Sequence, residues 1–110
     1  MEIDLELYRR EVLVSPSPVV RLSVIDISPE QPQHTLLYLH GFGGHARQWR
    51  YQLQEFSQSN RVIAIDLRGH GHSDRPRTRF DMAEIQADLE AVWDYLGLEK
   101  PVTPVWHSLG

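Results

Sequence analysis

Hydrophobic residues recur along the chain in three rhythms, and each rhythm predicts a different kind of element. Over residues 3–14 they alternate loosely, at Ile3, Leu5, Leu7, Val12 and Val14, as in a half-buried strand. Ser15-Pro16-Ser17-Pro18 is a turn signal. Alternation resumes over residues 19–27, with Val20, Leu22, Val24 and Asp26 on one face. The two segments predict an antiparallel opening pair, followed by a Pro29- and Pro32-containing connection over residues 28–34.

From Thr35 the pattern changes. Leu36-Leu37-Tyr38-Leu39 and Val62-Ile63-Ala64-Ile65 are short continuous apolar runs, as expected of strands buried on both faces. Residues 102–106 predict a third such strand. Between the runs the period lengthens to that of amphipathic helices. Trp49, Leu53 and Phe56 mark the first, over residues 46–57. The second carries Ile85, Leu89, Val92 and Leu96 behind Asp81-Met82-Ala83-Glu84, a capping-box signature, and Gly97 is a C-terminal stop. Strand, strand, then strand–helix–strand–helix–strand predicts an α/β sheet, its parallel strands joined by right-handed crossovers. Residues 1–34 supply the opening pair and loop, and residues 35–110 the βαβαβ portion.

Composition narrows the function classes. The 110 residues hold at most one small domain. A net charge of −4 supplies no basic footprint for nucleic acid. The absence of cysteine removes disulfides and thiolate metal sites. The first thirty residues are charged and lack a signal-peptide core, and no apolar run approaches a membrane span. The expectation is a soluble cytoplasmic protein with a small-molecule substrate and neither nucleic acid nor membrane as partner; oligomeric state stays open.

Each predicted buried strand leads into a stretch that carries candidate chemistry: His40-Gly41-Phe42-Gly43-Gly44, then the turn from Asp66 to Asp74, then His107-Ser108-Leu109-Gly110. A serine on a sharp strand-to-helix turn projects its hydroxyl into a cleft, with the following N–H facing a developing oxyanion. The glycines of residues 41–44 let backbone approach a substrate closely. Ser108 taken alone reads as an ordinary turn serine. His40 reads as a brace for its loop, and Asp66 and Arg68 as ties from their turn to neighbouring backbone. His70 and His72 have a metal-ligand spacing but no evident third ligand. The glycine-rich loop lacks the Lys-Ser/Thr of a phosphate loop. Trp49 and Trp93 read as core.

Together, His40-Gly41-Phe42-Gly43 with Trp49, Asp66-x-Arg68-Gly69-x-Gly71-x-Ser73, and His107-Ser108-x-Gly110 resemble, in order, three motifs of the α/β-hydrolase superfamily. The resemblance covers nearly the whole chain and implies the N-terminal portion of a member, ending at its nucleophile elbow. It implies Ser108 as the nucleophile and the backbone N–H groups of Phe42 and Leu109 as the oxyanion hole, with no cofactor and no metal. The implied activity is esterase-like hydrolysis of a small ester or related acyl compound through an acyl-enzyme. Epoxide hydrolases and haloalkane dehalogenases of this fold carry an aspartate at the elbow, so Ser108 disfavours them. The family's acid and histidine follow the serine, so the fragment by itself is expected to be inactive and, with an open apolar edge at its last strand, poorly soluble. The alternatives are a non-catalytic binding protein of the same fold and an acyltransferase. Two positions depart from the pattern: Trp106 stands where the elbow has its first small residue, and Pro104 lies in a strand expected to be central.

Overall fold

The structure is a computed structural model that describes residues 2–76, 81–98 and 101–106. Its strands are β1 (Arg9–Pro16), β2 (Val19–Ile27), β3 (Thr35–Leu39), β4 (Arg61–Ile65) and β5 (Val102–Trp106), and its helices are α1 (Arg50–Phe56) and α2 (Met82–Leu96). They build one five-stranded sheet in the order β1-β2-β4-β3-β5. β2 runs antiparallel to β1 and β4, and β3 runs parallel to both β4 and β5. This is the antiparallel opening pair and parallel continuation that the apolar rhythm predicts.

The continuous apolar runs exist because both sheet faces are covered. On one face Leu37, Leu39, Ile63 and Ile65 join Ile85, Val92 and Leu96 of α2. On the other, Tyr38, Val62 and Ala64 pack with Leu53 of α1. β2 is internal too, so Ile25 and Ile27 are buried alongside Val20, Leu22 and Val24. The single buried face expected of it is therefore corrected to two.

The expected strand over residues 3–14 begins late. Leu5–Tyr8 is a 3₁₀ turn, and the Asp4 carboxylate accepts the Glu6 N–H at 3.1 Å. Such a local side-chain bond competes with a strand ladder, and it turns Leu5 inward while leaving Leu7 77% exposed. The first predicted helix opens as another 3₁₀ turn, Ala46–Trp49, before α1. Leu53 is fully buried, whereas Phe56 points outward and is 46% exposed.

α2 follows its signals closely. The Asp81 carboxylate accepts the Glu84 N–H at 2.9 Å, a cap worth about 1 kcal/mol, and Gly97 ends the helix at φ +64°. Trp49 stacks at a tilt on Tyr38, with centroids 5.2 Å apart, but Trp93, expected in the core, is 37% exposed. Pro104 lies opposite Leu37 in β5, the outermost strand on that side of the described sheet. An outer strand is where a missing N–H is tolerated. Among the described residues no helix is long and apolar enough to cross a membrane.

Candidate active site

Register levels the ends of three strands. Leu39, at the end of β3, pairs with Ile65 at the end of β4 and with Trp106 at the end of β5. Residues 40–44 and residues 66–74 therefore leave the sheet side by side, level with the end of β5. In open α/β sheets, ligands bind outside these carboxyl ends. Phe42 lies in the first of these loops and is 71% exposed. Ser108 and Leu109 lie outside the described residues.

The turn after β4 is an anchor. Asp66 is buried, and its carboxylate accepts the Ala46 N–H at 2.6 Å and the His72 N–H at 3.1 Å. It also takes the Arg9 guanidinium at 3.0 Å. One carboxylate thus satisfies an otherwise unpaired N–H at the start of the helix after the glycine loop, holds its own turn and ties in β1. Ser73 Oγ donates to the Asp66 carbonyl at 2.5 Å and accepts the Ser23 N–H at 2.7 Å. Gly71 has φ +53°, and a Cβ there would run into the Asp66 carboxylate. The motif's aspartate, second glycine and serine are structural requirements of one turn.

Arg68 ties the turn to α2. Its guanidinium grips the Asp88 carboxylate of α2 through Nε at 2.7 Å and Nη2 at 2.8 Å, and reaches Glu84 through Nη1 at 2.8 Å. The Asp88 hydrogen bonds raise its pKa further above the usual arginine value. These partners are side chains on a helix. Sequence reading missed Asp88, although its place between Ile85 and Val92 on the apolar face of α2 is a signal for a buried charge needing a partner.

Two histidines brace the glycine loop. His40 is fully buried at the end of β3. Its Nδ1 lies 2.7 Å from the Gly41 carbonyl and its Nε2 accepts the Leu67 N–H at 3.0 Å. Both ring nitrogens are committed, which requires the neutral ring with its proton on Nδ1. Burial lowers its pKa in keeping with that, so His40 is a brace, as its position suggested. His70 has the same arrangement: Nδ1 lies 3.0 Å from the Arg68 carbonyl, and Nε2 accepts the Gly43 N–H at 2.9 Å. The two rings lie 4.9 Å apart, and the Phe42 ring meets His70 edge-on at 5.4 Å. Between loop and turn lies an open cleft of about 510 Å³, lined by Phe42, Gly43, His45, Arg68, His70 and Arg75 among others. Among the described residues no group of three or more His, Asp or Glu side chains is placed to hold a metal.

Known proteins are similar in sequence and fold. The alpha/beta hydrolase fold family model matches residues 34–110. Epoxide hydrolase 4 of Homo sapiens is 40% identical over 83 residues, which cover 74% of this chain and 23% of that protein. A solved epoxide hydrolase from metagenomes of hot environments superposes with a TM-score of 0.77 at 32% identity, covering 90% of this chain and 33% of that one. A thermophilic esterase from Thermogutta terrifontis gives 0.76 at 25% identity, covering 89% and 35%. The chain thus spans about a quarter of the length of the curated relatives it matches. Its mixed sheet corresponds to the N-terminal part of the fold those proteins share. By family model, by identity to its relatives and by superposed architecture, the chain belongs to the α/β-hydrolase fold family.

Proposed function

We propose that the protein is a serine hydrolase acting on a small ester or related acyl compound. The observation that carries the reading is the common end row of Ile65, Leu39 and Trp106. It supports a site in which the glycine loop stands beside a serine two residues beyond β5. Ser108 Oγ attacks the acyl carbonyl carbon and its proton passes to a histidine base. The tetrahedral intermediate then collapses, the alkoxide leaves with that proton, and water hydrolyses the acyl-enzyme to the acid and free serine. The family places the acid and histidine after the serine in chain order, and the proposal assigns them there in the whole protein. Phe42 and Leu109 N–H groups hold the oxyanion, where loss of one donor costs about 2.7–4 kcal/mol.

The 40% identity to an epoxide hydrolase favours a second reading. In that chemistry an elbow aspartate opens an epoxide, and this chain has Ser108 in that place. The two separate on substrates. The protein expressed from its own gene is expected to hydrolyse p-nitrophenyl esters, with a burst of nitrophenol, and to leave aryl epoxides intact. Diol formation from the epoxide without ester turnover would overturn the serine reading. An alcohol acceptor that diverts the acyl group from water would move the assignment to acyltransferase.

A further inference from the structure

We infer that His70 is a positioning residue for the oxyanion hole, setting the glycine loop through the Gly43 N–H; this rests on the serine-hydrolase reading. Gly44 N–H closes the loop on the Gly41 carbonyl at 2.9 Å, and the tip of that turn meets the turn after β4 at His70. Phe42 is largely exposed, and a Cβ built on Gly43 would meet nothing within 4 Å. Gly43 is in the left-handed region at φ +85°, open to glycine but not self-enforcing. The hydrogen bond from Gly43 N–H to His70 Nε2, at 2.9 Å, ties the peptide between Phe42 and Gly43 to the turn after β4.

The acceptor is itself fixed. The His70 side chain is buried against His40 and donates from Nδ1 to the Arg68 carbonyl. The Arg68 side chain is clamped to Asp88 and Glu84 of α2. A continuous chain of hydrogen bonds and covalent geometry thus runs from α2 through the turn after β4 to the residue next to Phe42. Gly43 N–H is spent on His70, and the serine-hydrolase reading assigns Phe42 N–H, its neighbour, to the oxyanion. Preorganised donors are effective because they need no rearrangement as charge develops, so a loop released from His70 loses rate rather than substrate affinity.

Three substitutions in the protein expressed from its own gene test this. H70Q keeps an acceptor oxygen where Nε2 stood. H70N keeps only the polar group near Nδ1. H70L keeps neither. The expected result is an ester kcat within about threefold of the parent for H70Q. For H70N and H70L a roughly ten- to hundredfold fall is expected, with KM nearly unchanged, since a misplaced reacting group costs rate on this scale. Amide hydrogen exchange across residues 41–45 should quicken in H70N and H70L but not in H70Q. Unchanged kcat in H70L and H70N, equal losses in all three, or a KM rise that accounts for the loss would overturn the inference. If H70L does not fold, H70N against H70Q makes the same comparison. A parent protein that neither turns over esters nor reacts with a fluorophosphonate would instead remove the serine-hydrolase reading itself. The exchange measurement would then still report whether His70 holds the loop.

Discussion

At the scale of single residues, two glycines with similar backbones make opposite demands. Gly69 has φ +78° and open space around it, whereas Gly71 at φ +53° faces the Asp66 carboxylate. G69A is expected to lose about 1 kcal/mol from the left-handed conformation alone. G71A should lose at least about 2 kcal/mol more, because Asp66 must also give up bonds to Ala46 and His72. Denaturant midpoints of the two variants test the difference, and equal losses would contradict it. His40 gives a pH dependence of definite sign. Burial holds its folded pKa below the ordinary 6.5, so its contribution is complete above pH 6.5 and is lost as pH falls toward the folded pKa. Denaturant midpoints should drop from pH 7.5 to pH 5, and less in H40N. Glu6 acts in a lower window. Its hydrogen bonds to Arg9 bring its pKa from 4.5 to about 2, so its smaller, solvent-screened contribution fades between those values, and E6Q should flatten that part of the profile.

At the scale of elements, the clamp between the turn after β4 and α2 is the junction on which the loop geometry depends. Arg68 and Asp88 side chains are 9% and 4% exposed. Removing one partner strands a buried charge and costs about 3–5 kcal/mol. D88A should sit at the low end of that range because Glu84 still reaches Arg68, and the paired change R68M with D88L should be less damaging than D88A. Urea unfolding decides, and a double variant worse than D88A would contradict the account. The apolar rhythm made the element order legible: the paired runs at β3 and β4, the period of α2 and its Asp81 and Gly97 ends all agree with the structure. It was misleading at Leu5 and Leu7, where a two-residue alternation is satisfied equally well by a capped 3₁₀ turn with Leu5 inward. The Arg68–Asp88 pair was not legible, because twenty residues separate its members and only folding brings α2 over the turn.

At the scale of the whole molecule, the outer edge at β5 and the groove beside it are apolar. A space of about 240 Å³ is lined by Leu37, Leu39, Leu89, Trp93, Pro104 and Trp106. Unpaired strand edges with such lining invite association, so the 110-residue chain by itself is expected to self-associate with rising concentration in size-exclusion chromatography. A concentration-independent monomer with a sharp cooperative melt would contradict this. That the first two motifs leave neighbouring strands was legible in outline, since each follows a buried strand, but the register that levels Ile65, Leu39 and Trp106 belongs to the sheet. The central claim concerns what stands beyond Trp106. Its most direct measurement is reaction of the protein, expressed from its own gene, with a fluorophosphonate, followed by mass mapping of the adduct. The account predicts one stoichiometric adduct on Ser108, abolished in S108A. A protein that remains unlabelled, or an adduct on a different residue that survives in S108A, would contradict it.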